Sequence, residues 1–298
     1  MIHLEDNFFE LGGDSLLALQ IISALKSHFK LPIPLSVLFE YPDIISLAHQ
    51  LDILVAEGNS THAHASSSVI KLSSGPHKTP LFLVHPVGGS VFWYQQLAQR
   101  LDGKYTVYGI EDQSINGHSR RFASISEMAQ FYLEEIDKVY QGEEYCLGGA
   151  SFGATVAVEM ANQLMRSNKS VTFLGLFDGW AKYPDSLIKS NTMGLLSKNQ
   201  GIGKQASEYL EELEEYRKKL LLAFELPTIR ADITLFKAND LWDAFVLADD
   251  PFNGWKPFVE HEITVHAIPG THETMFFESN VDHLATLVEL EAFSKRKR

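Results

Sequence analysis

Residues 145–154 read Tyr145-Cys146-Leu147-Gly148-Gly149-Ala150-Ser151-Phe152-Gly153-Ala154. An apolar run enters a cluster of small residues around one serine, and a helical pattern follows as far as residue 168. Gly149-Ala150-Ser151-Phe152-Gly153 matches G-x-S-x-G, and its setting matters more than the match. A strand, a tight turn and a helix are what a nucleophile elbow requires, because the turn must close while the serine projects at the strand's carboxyl end. A small-residue turn with an incidental serine is the plainer reading, and the rest of the chain decides between the two.

Outward from this stretch, short apolar segments alternate with helical ones. Strands are predicted at Leu81–Val84, Thr106–Ile110, Tyr145–Gly148, Val171–Phe177, Asp232–Phe236 and Ile263–Ala267, with helices near 92–101, 125–141 and 152–168. That alternation predicts an α/β domain over residues 80–298, with a mainly parallel sheet covered on both faces. From about 180 to 230 the alternation breaks. Tyr209, Leu213, Tyr216, Leu220 and Phe224 form one apolar stripe there. Glu208, Glu211 and Glu212 precede Arg217, Lys218 and Lys219, the order a helix dipole favours. Glu214–Lys218 and Glu215–Lys219 have i,i+4 spacing. Ordinary surface-helix packing accounts for this pattern. The functional reading is a lid insertion over the sheet's carboxyl edge, hinged at Gly194, Gly201 and Gly203.

A serine hydroxyl needs a base to take its proton. In this fold the partners follow in the order Ser, Asp, His. Asp178-Gly179 ends the strand Val171–Phe177, and Pro269-Gly270-Thr271-His272-Glu273 follows the last strand. Three strand ends thus bring Ser151, Asp178 and His272 to one edge. His272 is the expected general base and acid, with Asp178 fixing its tautomer. Asp240, after another strand, is the rival acid. Oxyanion donors are expected at the Phe152 N–H and in His85-Pro86-Val87-Gly88-Gly89-Ser90, where Pro86 has no N–H and Val87 is chosen. His85 precedes the serine and is read as structural.

The N-terminal segment has a different character. Asp14 and Ser15 open a helix with Ala18, Ile21, Ile22, Leu25 and Phe29 on one face, and Pro32 and Pro34 end it. A second helix begins near Pro42-Asp43 and uses Ile44, Leu47, Ala48 and Leu51. Residues 1–57 therefore make a very small helical core. Residues 58–79 are rich in Ser, Gly and His and read as a flexible linker with a reach of ~25 Å. His62 and His64 lack the neighbours a metal site needs, and no metal is expected.

Composition sets the outer bounds. The 298 residues carry 25 Lys and Arg against 38 Asp and Glu, a net charge of −13. That balance opposes nucleic-acid and anionic-membrane binding. No apolar stretch is long enough to span a bilayer, and the basic terminus 295–298 reads as a solvated tail. The lone Cys146 excludes an internal disulfide and points to the cytoplasm.

These residues resemble two known families. His85–Ser90, Gly149–Gly153, Leu176-Phe177-Asp178-Gly179 and Pro269–His272 are similar to the motifs of type I thioesterase domains. These are α/β-hydrolases that end polyketide, peptide and fatty-acid synthases. The resemblance implies a Ser151–His272–Asp178 triad with an oxyanion hole at Val87 and Phe152. Asp6-Asn7-Phe8-Phe9-Glu10-Leu11-Gly12-Gly13-Asp14-Ser15-Leu16 resembles the phosphopantetheine attachment motif of acyl and peptidyl carrier proteins. It implies a 4'-phosphopantetheine on Ser15 at a helix N-terminus, whose free N–H groups suit a phosphodiester. Carrier domains have a further helix before this motif. Only fourteen residues precede Ser15, so the carrier is read as lacking its first helix.

The expected function is release of an acyl or peptidyl chain through Ser151, by hydrolysis or macrocyclisation. Upstream synthase modules and a phosphopantetheinyl transferase are the implied partners, and an acyl or peptidyl thioester is the substrate. The competing readings are a stand-alone esterase or lipase with a vestigial carrier segment, and a non-enzymatic carrier or docking module that only binds acyl chains.

Overall fold

A computed structural model describes residues 2–9, 11–13, 15–31, 33–34, 37–56, 67–116, 120–183, 204–240 and 250–294. The chain opens with α1 (Ser15–Phe29), α2 (Val37–Glu40) and α3 (Ile44–Ala56). Asp43 sets the start of α3, where its Oδ1 accepts the Ser46 N–H at 2.8 Å as an N-cap should. Ala18, Ile22, Ile33, Val37, Leu38 and Leu51 form a small cluster that includes Phe92 from the following domain. The Phe9 and Phe92 rings lie 5.9 Å apart. Ile2, Leu4, Leu17, Ile44, Ile45 and Val55 are left exposed, so the helical core covers only part of its apolar surface.

The linker expectation needs a correction. Within the stretch 58–79, Val69–Ser73 form strand β1, and residues 58–66 lie outside the described residues. Val69 and Ile70 are buried, and β1 pairs antiparallel with β3 (Val107–Ile110). A short apolar run was diluted by the serines around it, and only a neighbouring strand edge makes it a strand. Ser73 anchors its end, donating from Oγ to the Tyr105 carbonyl at 2.9 Å and accepting from the Val107 N–H at 3.2 Å.

The remaining elements follow the predicted alternation. They are β2 (Leu81–Val84), α4 (Gln95–Leu101), β3, α5 (Ile125–Asp137), β4 (Glu144–Ala150), α6 (Phe152–Arg166), β5 (Ser170–Phe177), α7 (Lys204–Ala223), β6 (Ile233–Asp240), β7 (Ile263–Thr271) and α8 (Glu278–Glu289). The sheet order is β1-β3-β2-β4-β5-β6-β7, parallel from β3 to β7. Successive strand residues point to opposite faces. Phe82, Val84, Leu147 and Leu176 therefore join α5 and α6 in one core, while Leu81, Leu83, Cys146 and Phe177 join α4 and α8 in the other. Both faces are covered, as the continuous apolar strands required.

The order β3-β2-β4-β5 makes the β2–β4 boundary the topological switch point, where open α/β sheets leave a crevice at the strands' carboxyl ends. Tyr94 braces that boundary. Its buried hydroxyl donates to the Val84 carbonyl and accepts the Ala150 N–H at 2.7 Å, linking the ends of β2 and β4. Tyr94→Phe strands a buried N–H and a buried carbonyl. It is expected to lower unfolding stability by about 1–3 kcal/mol in urea denaturation, with the larger loss of activity than a substitution far from the crevice would cause.

Candidate active site

The turn between β4 and α6 holds Ser151 at φ 54°, ψ −122°, outside the regions that L-residues ordinarily occupy. Such a conformation costs on the order of 1–3 kcal/mol and persists only when its surroundings enforce it. Two glycines allow it. A β-carbon on Gly149 would stand 2.2 Å from the Gly153 carbonyl oxygen, and one on Gly153 would stand 2.3 Å from that of Val84. Hydrogen bonds then lock the turn. The Ser151 N–H donates to the Phe177 carbonyl at 3.1 Å, and the Ala154 N–H donates to the Ser151 carbonyl at 3.0 Å. Ser151 is buried and its side chain makes no helix cap.

Asp178 leaves the end of β5 at φ 46°. Its Oδ1 accepts the Ala238 N–H at 3.2 Å and the Asn253 side-chain amide at 3.3 Å. Its Oδ2 lies 2.8 Å from Nδ1 of His272, which stands just past β7. An ionised carboxylate only accepts, so Nδ1 carries the proton and a neutral ring leaves its lone pair on Nε2. Trp93 packs against the His272 ring at 5.6 Å. Asp240 is exposed at the end of β6, opposite Thr271 in the ladder, and Asp178 is the carboxylate bonded to the histidine.

The loop after β2 turns at Pro86–Gly89, closed by the Gly89 N–H donating to the Pro86 carbonyl at 2.9 Å. Val87 is buried within it, and Phe152 is the first residue of α6, whose leading N–H groups lack intrahelical acceptors. His85 is fully buried. Its Nδ1 donates to the Pro86 carbonyl at 2.7 Å, so Nε2 accepts from the Tyr132 hydroxyl at 2.7 Å. Burial and the Arg217 charge push it down to about 4, and it stays neutral, as a structural histidine should.

Three contributors were not singled out as site residues from sequence. The Tyr183 hydroxyl bonds the Ser151 side chain and also receives the Trp180 N–H at 3.3 Å. Asn253, fully buried at φ 47°, ties Asp178 to the Gly179 carbonyl. Arg217 was read as one of several helix-end cations on a surface helix, and it is buried with 0% exposure. Lys218 is buried as well and pairs with Glu215 at 2.7 Å, one residue closer in sequence than the expected i,i+4 partner Glu214. A helix dipole selects the sign of these charges but not their depth. The hinge glycines Gly194, Gly201 and Gly203 lie outside the described residues, as do His62, His64 and residues 295–298.

In the N-terminal segment, Gly12 takes φ +87° and the Gly13 N–H donates to the Phe8 carbonyl at 2.9 Å, so the chain turns directly into α1 at Ser15. A β-carbon on Gly13 would stand 2.5 Å from the Phe8 ring. The Ser15 side chain, Asp14 and Pro32 lie outside the described residues. Among the described residues no cluster of His, Cys, Asp and Glu is arranged to hold a metal, and no helix is long and apolar enough to cross a membrane.

Comparison with known proteins agrees with both halves. Residues 79–290 match the thioesterase domain family and residues 1–51 match the phosphopantetheine attachment site family. The chain belongs to the thioesterase domain family. It is 28% identical over 282 residues to malpibaldin synthetase of Mortierella alpina, covering 91% of this chain and 5% of that protein. The chain thus spans a small fraction of the length of such relatives. Among solved structures it is similar to a four-domain nonribosomal peptide synthetase bound to AMP and glycine. That match has a TM-score of 0.67 and 23% identity, over 97% of this chain and 24% of the other. The thioesterase domain of the nocardicin cluster superposes with a TM-score of 0.61 and 24% identity, over 75% of this chain and 98% of that domain. The chain joins a phosphopantetheine attachment site to a thioesterase domain of α/β-hydrolase fold.

Glu111, at the end of β3 beneath the Pro86–Gly89 loop, gives the site a pH signature. Its carboxyl is fully buried, accepts the Asn116 amide at 3.1 Å and takes bonds from Val91 N–H and Ser90 Oγ. Burial pushes it up to about 7 from an ordinary 4.5. The unfolded chain releases this proton near 4.5 and the folded chain near 7, so stability falls as pH rises through that window and the penalty is complete above it. Glu111→Gln removes the titration at the cost of an accepted bond, because its amide nitrogen only donates. The melting temperature of the variant relative to wild type is expected to rise from pH 4.5 to pH 8, as thermal unfolding across pH will show.

Proposed function

We propose that the chain releases an acyl or peptidyl group from a thioester, with Ser151 as nucleophile, His272 as general base and acid, and Asp178 as the partner of His272. The observation that supports this reading is a strained Ser151 whose N–H bonds the Phe177 carbonyl, one residue before the Asp178 that holds His272. Ser151 Oγ attacks the thioester carbonyl while His272 Nε2 takes its proton. The oxyanion of the tetrahedral intermediate accepts hydrogen bonds from the Val87 and Phe152 N–H groups. Each such donor is worth about 3–4 kcal/mol in acyl transfer. Collapse breaks the carbon–sulfur bond, and the imidazolium returns its proton to the leaving sulfur. Asp178 stabilises that imidazolium through the 2.8 Å bond. Water then adds to the Ser151 ester, or a hydroxyl or amine of the same chain does, giving an acid or a macrocycle. In the same reading α7, the described helix of the 180–230 insertion, serves as a lid over this site, and exclusion of water beneath it favours cyclisation.

Ser15 is the attachment point for 4'-phosphopantetheine. The sharp turn at Gly12 and Gly13 and the helix N-terminus it opens fit a phosphodiester there. When bound, that group supplies the thiol that carries the chain as a thioester. The covalent connection between the two domains raises the effective concentration to roughly the millimolar range. The implied partners are upstream synthase modules and a phosphopantetheinyl transferase, and the buried free Cys146 fits a cytoplasmic setting. The attachment-site match over residues 1–51 favours this reading over a stand-alone esterase.

Ser151→Ala is expected to lower kcat on an acyl thioester by on the order of 10⁴-fold or more and to abolish labelling by a fluorophosphonate. Intact-mass analysis of the full chain checks both and separates modification at Ser15 from acylation at Ser151. Retained turnover by the variant, or an oxygen ester preferred to the matching thioester, overturns the assignment.

A further inference from the structure

Arg217 does more at this site than hold a helix down. It projects from α7, and its guanidinium bonds two loops at the sheet's carboxyl edge, those after β3 and β2. Nε and Nη2 donate to Asp112 Oδ2 at 2.8 and 2.7 Å, Nη2 also reaches Ser114 Oγ at 3.1 Å, and Nη1 donates to the Val87 carbonyl at 2.9 Å. The fit is close. A β-carbon on Gly89 would stand 2.5 Å from Nη2, so a side chain there would displace the guanidinium from the turn. Asp112 closes the loop of contacts by donating its own N–H to the Gly89 carbonyl at 3.0 Å.

Stability alone does not account for this arrangement. A buried ion pair often does no better than packed apolar residues of the same volume, because desolvation offsets the attraction. What the network does supply is geometry. In the four-residue turn Pro86–Gly89, the central peptide joins Val87 to Gly88, and a turn of this kind can present that peptide in two orientations related by a flip of about 180°. Gly88 offers little steric resistance to either. The Arg217 bond to the Val87 carbonyl selects one, and the Asp112–Gly89 bond holds the far end of the turn.

We propose that Arg217 is a positioning residue for oxyanion stabilisation: by holding the Val87 carbonyl from α7 it fixes the placement of Val87, whose own N–H, in the preceding peptide, is the oxyanion donor. The inference rests on the reading of Val87 as an oxyanion donor. It makes α7 part of the support for catalysis as well as a cover for the site. Burial works to raise the Asp112 carboxyl, but Arg217, with His85 and the Ser114 bonds behind it, holds it at about 2. The pair therefore stays charged wherever the enzyme is assayed.

The test uses the full chain and two substitutions. The double variant Arg217→Met, Asp112→Asn removes the bonds without leaving an unpaired buried charge, and Arg217→Lys keeps the charge with fewer donors. Steady-state hydrolysis of a short acyl thioester is measured beside the affinity of an alkyl boronic acid, which forms a tetrahedral adduct on Ser151. The expected result for the double variant is a kcat lowered about ten- to a hundredfold with KM within about twofold, as for a misplaced oxyanion donor. Boronate affinity is expected to fall in parallel, and Arg217→Lys to recover part of both. A kcat and a boronate affinity within twofold of wild type, or a rise in KM alone, overturns the proposal. If the double variant does not fold, Arg217→Lys decides by the same comparison. Failure of wild type itself to form the adduct would instead count against the Ser151 assignment.

Discussion

Helix α6 meets the end of β2 at a distance that only glycine permits. With the Val84 and His85 carbonyl oxygens 2.3 and 2.6 Å from any β-carbon on Gly153, α6 can start where it does only because that carbon is missing. The rest of the site depends on this approach. It brings the Phe152 N–H beside the loop that carries Val87, and it forces the chain to reverse within one residue. That residue, Ser151, takes the strain. Tyr94 then spans the two diverging strand ends with one hydroxyl, so the crevice opens without leaving their last backbone groups unpaired.

Around this fixed point the polar groups are held by backbone more than by each other. Asp178 is set by the Ala238 N–H and by Asn253 before it reaches His272. His85 is neutral and spends both ring nitrogens on structure. Buried groups with every bond used are rigid, and rigidity is what preorganised catalysis needs. Arg217 extends the same logic to a helix remote in sequence, tying α7 to the loop after β2 across a long stretch of chain.

Much of this was legible beforehand. The strand positions emerged from apolar runs because both faces of a parallel sheet are buried, and the Ser, Asp, His order emerged because each stands at a strand end. Val69–Ser73 escapes a reading of the sequence because three apolar residues and a lysine among serines look like linker until β3 offers an edge. Arg217 was misread because a cation near a helix end satisfies the dipole whether it faces water or protein. Asn253 and Tyr183 had no signal at all, since neither lies in a motif and each matters only through a partner far along the chain.

The sequence by itself determined the order of most strands and helices, the glycines around Ser151 and which side chains stand at the strand ends. These are local properties, governed by hydrophobic period, turn chemistry and the missing β-carbon. Tertiary structure alone decided which carboxylate meets His272, how deeply the α7 charges are buried and which groups hold the loop after β2. Such choices depend on distances between residues 60 to 130 positions apart in the chain. No local pattern encodes those distances, because they exist only once the sheet has closed.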